Sequence, residues 1–285
     1  MTDKVELARR WIPKPVRATI QRFIPLTRMK KEWRQRNNPL AQVLSGDDNR
    51  YGSPVRVGIL LTRALFHTSY VAACQELGVP FVVINPADDD WIEQVRQSQC
   101  DCFLAWPDAT LTPWAKMYKD RCDLIERELG IPVFPGRAER WLYEDKARCR
   151  DWLLARGLTL PKTWVFFDDA SAIDFAGSCE LPVVFKTNFG ASATGVEIVR
   201  SRKRAAAIVR QAFSKGHVPA GHDLRDRQWR SVLFQRFISG VREWRMVRIG
   251  DSFFGHPKGR AGEFHSGSGS VEWEVPSKDL LELLY

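Results

Sequence analysis

The chain has 285 residues, 44% of them hydrophobic and eleven of them Trp, which excludes a disordered protein and allows two domains of ordinary size. Its formal charge is +9, yet residues 1–50 carry twelve Lys and Arg against five Asp and Glu, a net of +7, so the other 235 residues are nearly neutral at +2. That split disfavours a nucleic-acid-binding body, which would carry the basic excess on the folded part, and no apolar run approaches the roughly 18 residues that span a bilayer.

In chain order, residues 8–36 come first. They mix basic side chains with Trp11, Ile12, Met29 and Trp33, and Pro15 suits a first helical position, after which Val16, Ile20, Phe23 and Ile24 share one face until Pro25. A short amphipathic helix with a basic side fits peripheral contact with an anionic membrane surface. A helix packed on the body, a partner-binding arm and a cleaved presequence are the alternatives. Asn37 to Pro54 reads as a polar linker with one helical turn at Leu40–Leu44.

A βα alternation follows. Val55–Leu61, Phe81–Ile84, Cys102–Trp106 and Ile131–Phe134 read as strands, with helices at Ser69–Leu77, Asp90–Gln99 and Ala115–Glu128 between them. This spacing predicts a parallel, helix-covered sheet. The turn after the first strand, LTRALFHTSY, contains no glycine, whereas a dinucleotide fingerprint needs three, so NAD or FAD is not expected there. Arg63, His67 and Asp108 fall near strand ends, where surface or capping roles compete with ligand contact. The six cysteines, at 74, 100, 102, 122, 149 and 179, form no CxxC pair, and a reducing, cytoplasmic setting is the default.

Beyond Glu139 the pattern becomes α+β. A helix over Asp145–Arg156 and a strand over Thr163–Phe167 precede Leu181–Arg200, whose sequence is LPVVFKTNFGASATGVEIVR. Val183–Phe185 and Gly195–Val199 read as strands joined by a loop of small and hydroxyl-bearing residues, with Lys186 at its entrance. Small side chains let backbone N–H groups approach phosphate oxygens, and the lysine adds a point charge, so the loop can cover a polyphosphate. An ordinary hairpin is the alternative. A helix at Ser201–Phe213 and a patternless polar connection at Gly216–Arg230 come next. Strands at Ser231–Phe237, Glu243–Ile249 and Ser252–Gly255 follow, the last two joined by a Gly250–Asp251 turn.

The order of four motifs resembles the ATP-grasp superfamily, near its glutamate-adding and peptide-forming ligases and glutathione synthetase. They are Glu144-Asp145-Lys146 opening a helix, Lys186 at a strand end, the loop Phe189–Gly195, and Phe234-Gln235-Arg236-Phe237-Ile238 followed by Glu243-Trp244-Arg245. The resemblance covers about 230 of the 285 residues. It implies an α/β chain: an arm and linker at 1–50, a parallel-sheet N-terminal domain at 51–134, and an incomplete α+β ATP-grasp domain at 135–285.

By the same resemblance, Lys146 and Lys186 contact the α- and β-phosphates, and Gly190, Ser192, Ala193, Thr194 and Gly195 belong to the mobile cover. Gln235, Phe237 and Ile238 present adenine contacts, and Glu243 accepts from the ribose hydroxyls. Many relatives carry Glu at the place of Gln235, so adenine recognition here differs in detail. Arg245, Lys258 and Arg260 are the expected catalytic cations, because the transferring phosphoryl group and the acyl phosphate are both anionic. His265–Ser270 is a glycine-serine loop expected to approach the acceptor.

The family's magnesium ligands, an Asp and a Glu-x-Asn element, are expected beyond Tyr285: no Glu-x-Asn follows Glu243, and Glu272 and Glu274 come too early to replace it. The chain stops at Leu280–Tyr285 in the first turns of an apolar helix, so a fragment of a longer protein is expected, alone a weak catalyst, with a degenerate homologue as the other reading. The leading expectation is an ATP-dependent ligase that activates a carboxylate as an acyl phosphate for attack by an amine or similar nucleophile, cytoplasmic or peripheral at the inner membrane face. The alternative is a nucleotide-binding pseudoenzyme or scaffold recruited through its basic arm. A nucleic-acid-binding protein using residues 8–36 stands third.

Overall fold

The computed structural model describes residues 37–107, 111–190, 193–219, 222–260, 263, 265 and 272–282. The arm at 8–36, Asp108, Ser192 and Ser266–Ser270 lie outside the described residues. The chain divides into two compact units, the first ending at Arg137 and the second beginning at Ala138, with the first turn of one helix grouped with the second unit.

The first unit opens with a 3-10 helix, Pro39–Gln42, where one helical turn is expected; the Asn38 side chain caps it by accepting from Leu40 N at 3.0 Å. Its sheet contains β1 (Ser45–Gly46), β2 (Val57–Leu60), β3 (Phe81–Ile84), β4 (Cys102–Ala105) and β5 (Val133–Phe134) in the order β1-β3-β2-β4-β5. All pairings are parallel except that of the edge strand β1, a two-residue segment with no pattern of its own in the sequence. Helices α1 (Thr68–Leu77), α2 (Trp91–Ser98) and α3 (Thr112–Arg127) cover it. Val71 and Cys74 of α1 pack on Val57, Ile59, Phe81 and Val83. Trp91 and Val95 of α2, with Tyr118, Cys122 and Ile125 of α3, pack on Leu60, Ile84, Phe103 and Val133. Burial on both faces is why β2 reads as an unbroken apolar run.

Gly58 is paired in register with Phe103. A Cβ at Gly58 would lie 2.2 Å from Phe103 Cε1, and that ring is fully buried. Gly58→Ala is therefore expected to cost about 1–3 kcal/mol by overpacking, read as a lower denaturant midpoint; an unchanged midpoint would show that the ring has room to move. Among the described residues no disulfide joins the six cysteines, four of which are buried, and burial pushes the Cys74 and Cys100 thiols up.

The second unit carries helices α4 (Arg137–Leu142) and α5 (Lys146–Ala155) and a four-stranded antiparallel sheet. The strands are β6 (Thr163–Phe166), β7 (Val183–Lys186), β8 (Val196–Val199) and β9 (Val232–Arg236), in the order β6-β9-β7-β8. Helices α6 (Asp169–Ser178) and α7 (Arg202–Ser214) pack Ala172, Ala176, Ala205, Ile208 and Ala212 on one face, against Val183, Phe185, Val199, Val232 and Phe234. Alternation along β7 then puts Val184 and Lys186 on the face away from the helices. A separate hairpin pairs β10 (Trp244–Ile249) with β11 (Ser252–Pro257) through the Gly250–Asp251 turn, as the sequence predicts, and β11 runs two residues past Gly255. A last helix, α8 (Lys278–Glu282), falls where the apolar helix is expected. The architecture is the expected one, a helix-covered parallel sheet followed by an α+β unit. Among the described residues no helix is long and apolar enough to cross a membrane.

Candidate nucleotide site

The helix-free face of the antiparallel sheet carries Lys186 and Gln235. Val184 of β7 is opposite Gln235 of β9, so Lys186, two residues along on the same face, is Gln235's diagonal neighbour. Lys186 Nζ donates to Gln235 Oε1 at 2.6 Å, and Gln235 Nε2 donates to Thr163 Oγ1 of β6 at 2.9 Å. The Thr163 hydroxyl gives its own proton to the Pro161 carbonyl at 2.7 Å. Lys186 is half-buried. Burial holds its ammonium below the usual lysine range, reinforced by the positive charges of Lys146 and Lys258 and opposed by Glu243.

Lys146 is the first residue of α5, whose N-terminus is capped by Asp145 accepting from Arg148 N at 2.9 Å. Its Nζ donates to the carbonyls of Asn188 at 3.2 Å and Gly190 at 2.7 Å. Burial lowers this lysine too, against the pull of Glu144 and Asp145. Asn188 completes the junction by accepting from Ala147 N at 2.8 Å through its side chain. The helix start and the loop start are thereby one assembly, with both lysines at it.

The loop itself is held at its base. Thr187 N donates to Gly195 O at 2.8 Å, and the Thr187 hydroxyl donates to Phe189 O at 2.8 Å. Gln228 grips Phe189 from the other side, accepting from its N–H at 3.2 Å and donating to its carbonyl at 2.9 Å. Gly190 (φ +107°) takes a conformation that needs glycine, and Ala193 (φ +59°) turns the chain back toward β8. Thr194 is half-buried in this turn.

Glu243 and Lys258 flank the open end of the hairpin. Lys258 N donates to Glu243 O at 2.8 Å and their side chains form an ion pair. His265 lies against the Lys258 and Val241 carbonyls, at 2.9 and 3.1 Å. Arg245 on β10 and Arg260 beyond β11 are exposed. Phe237 and Ile238 continue from β9, the first half-buried and the second exposed. The structure therefore ties Lys146 to the loop at Gly190 and Lys186 to Gln235, and the charges of Lys146, Glu243 and Lys258 act on Lys186.

Beside Lys186 opens a cleft with about 350 Å³ of empty space, its mouth included, lined by Ala147, Val165, Asn188, His217, Gln228 and Leu233 among others. Its lining does not include Gln235, Phe237 or Ile238, because β9 runs from Val232 at the cleft away toward Arg236. His217 forms part of the wall. Its ring lies 4.7 Å from that of Phe185, and its Nε2 faces the Ile208 carbonyl at 3.0 Å, so that nitrogen carries a hydrogen; burial lowers its pKa. His217, Gln228 and Thr163 were not singled out by the sequence. Among the described residues no group of three or more His, Cys, Asp or Glu is arranged to hold a metal ion.

No protein-family model and no curated protein sequence matches the chain. Solved structures do. A RimK-domain ATP-grasp protein of Sphaerobacter thermophilus is similar with a TM-score of 0.54 and 20% identity, over 80% of this chain and 79% of that one. D-alanyl-alanine synthetase A of Vibrio cholerae is similar with a TM-score of 0.52 and 14% identity, over 80% and 77%. N5-carboxyaminoimidazole synthetase of Staphylococcus aureus, solved with ADP, is similar with a TM-score of 0.52 and 12% identity, over 75% of this chain and 57% of that one.

Proposed function

We propose, from the ATP-grasp fold that this chain has, that its second unit binds ATP and serves an ATP-dependent ligase that activates a carboxylate for attack by an amine or similar nucleophile. The observation that carries this reading is the junction of α5, β7 and the loop, where Lys146 and Lys186 are both desolvated and both adjoin a loop of small residues. Two half-buried ammonium groups cost stability in the free protein, and an anion that binds them offsets that cost. A phosphate chain is such an anion. Lys146 leaves the Asn188 and Gly190 carbonyls to meet it, while Lys186 meets it from the floor of the sheet.

In the reaction, a carboxylate oxygen attacks the γ-phosphorus and ADP leaves. The nucleophile then attacks the acyl carbon of the acyl phosphate, loses its proton, and phosphate departs. The chain's own contribution is charge: Lys146 and Lys186 at the phosphates, with Lys258, Arg245 and Arg260 toward the transferring group. Glu243 accepts from the ribose hydroxyls once Lys258 shifts toward phosphate. Magnesium supplies further neutralisation where its ligands are present.

Binding is expected to take up protons. Each lysine is depressed when free, and a bound polyanion favours its charged form and raises it. Uptake therefore grows as pH rises toward the free-state values. Calorimetry with ATP at about pH 9, well above the phosphate's own second ionisation near 6, in buffers of different ionisation enthalpy, is expected to show it. Proton release, or no dependence on buffer, would contradict the assignment. Turnover is tested with ATP, magnesium, a panel of amino acids as carboxylates and hydroxylamine as nucleophile, read as released phosphate together with hydroxamate.

A further inference from the structure

We infer that Gln235 is a specificity-determining residue: as a neutral amide it holds Lys186 in place without compensating its charge, and so biases the site toward phosphorylated nucleotides over the uncharged nucleoside. This rests on the nucleotide-binding reading above and concerns the discrimination between phosphorylated ligands and the bare nucleoside.

The hydrogen-bond directions at Gln235 are fixed by its neighbours. Lysine has only donors, so the amide oxygen must face Lys186 Nζ, 2.6 Å away. Thr163 has one hydroxyl proton, committed to the Pro161 carbonyl at 2.7 Å, so at 2.9 Å it receives the amide nitrogen of Gln235. Both ends of the amide are used, and both are uncharged.

The charged groups acting on Lys186 are Lys146, Glu243 and Lys258. Glu243 is already paired with Lys258, and Lys146 adds a second positive charge. A glutamate at 235 would place a carboxylate where the amide oxygen sits and neutralise Lys186. Its other oxygen would then face Thr163 Oγ1, whose proton must leave Pro161 to meet it. The presence of phosphate is therefore read through the charge that position 235 withholds.

The test titrates ATP, ADP, AMP and adenosine into wild-type protein, Gln235→Glu and Gln235→Met, each checked for an intact thermal transition. Gln235→Glu is expected to weaken ATP by about tenfold and adenosine by less than about twofold, in keeping with the repulsion of charges close to a protein surface. Its preference for ATP over adenosine falls several-fold, whereas Gln235→Met, neutral and only a weak acceptor, keeps that preference. Equal losses for all four ligands in Gln235→Glu, or an unchanged preference, would overturn the inference. If wild-type protein binds none of the four, the nucleotide reading itself fails and takes this inference with it. A second readout needs no nucleotide: the pH dependence of Lys186 acetylation in the free protein is expected to move upward in Gln235→Glu, and an unmoved profile would count against the proposal.

Discussion

Lys186→Ala is expected to weaken ATP binding by about 10- to 100-fold while the thermal transition stays cooperative. The lysine donates to Gln235 in the free protein and sits half-buried on the open face of the sheet. Removing it deletes a charge-assisted contact to phosphate, a class of hydrogen bond that contributes about 1.5–3 kcal/mol. Adenosine has no phosphate and should bind the variant almost as it binds the wild type. That contrast separates loss of a phosphate contact from loss of structure. Equal weakening of ATP and adenosine would instead mean that Lys186 supports the sheet.

Gly195→Ala should do more damage than its one added methyl implies. A Cβ at Gly195 would lie 1.9 Å from Thr187 Oγ1 and 2.9 Å from Thr187 Cβ and Cγ2. Thr187 is buried and its hydroxyl is tied to the Phe189 carbonyl at 2.8 Å, so the side chain has nowhere to swing without freeing the loop base. The Thr187 N to Gly195 O bond that closes the hairpin must lengthen. A destabilisation of about 1–3 kcal/mol is expected from overpacking, together with weaker ATP binding, since the loop leaves from this point. Thr187→Ala should rescue part of it in the double variant, because it removes the clashes with Oγ1 and Cγ2 and leaves the 2.9 Å one with Cβ. Strict additivity of the two substitutions in chemical denaturation would contradict this geometry.

These effects show what local sequence can and cannot reveal. The strands through Val57–Leu60, Phe81–Ile84 and Val183–Lys186 are legible because burial demands apolar, often β-branched residues at regular spacing. Lys186 is legible because it ends such a strand before a loop of small residues. Helix α6, Asp169–Ser178, is not: its fully buried residues are Ala172 and Ala176, too small to mark a face, and it ends in Gly177 and Ser178. The clue that was available is Asp168, whose side chain caps the helix by accepting from Ser171 N at 2.8 Å.

The supports of the site leave even less trace. Thr163 meets Gln235 across 72 positions of chain, and Gln228 meets Phe189 across 39. Each is a single polar residue in a segment whose pattern says nothing about its partner. Gln228 lies in a polar connection and is placed by a backbone bridge to His217, with both N–H to carbonyl distances at 2.8 Å. Contacts of that separation are set by tertiary packing, so the sequence identifies the lysines that can face a ligand and the structure identifies what aims them.

Amide hydrogen exchange with and without ATP and magnesium tests the central claim most directly, because it locates the ligand as well as detecting it. Protection is predicted at 187–195, where the loop closes, at the start of α5 around Lys146, and along 235–243. Protection confined to the parallel sheet at 57–105, or none anywhere in a folded protein at saturating ATP, would contradict the placement of the nucleotide on Lys146 and Lys186.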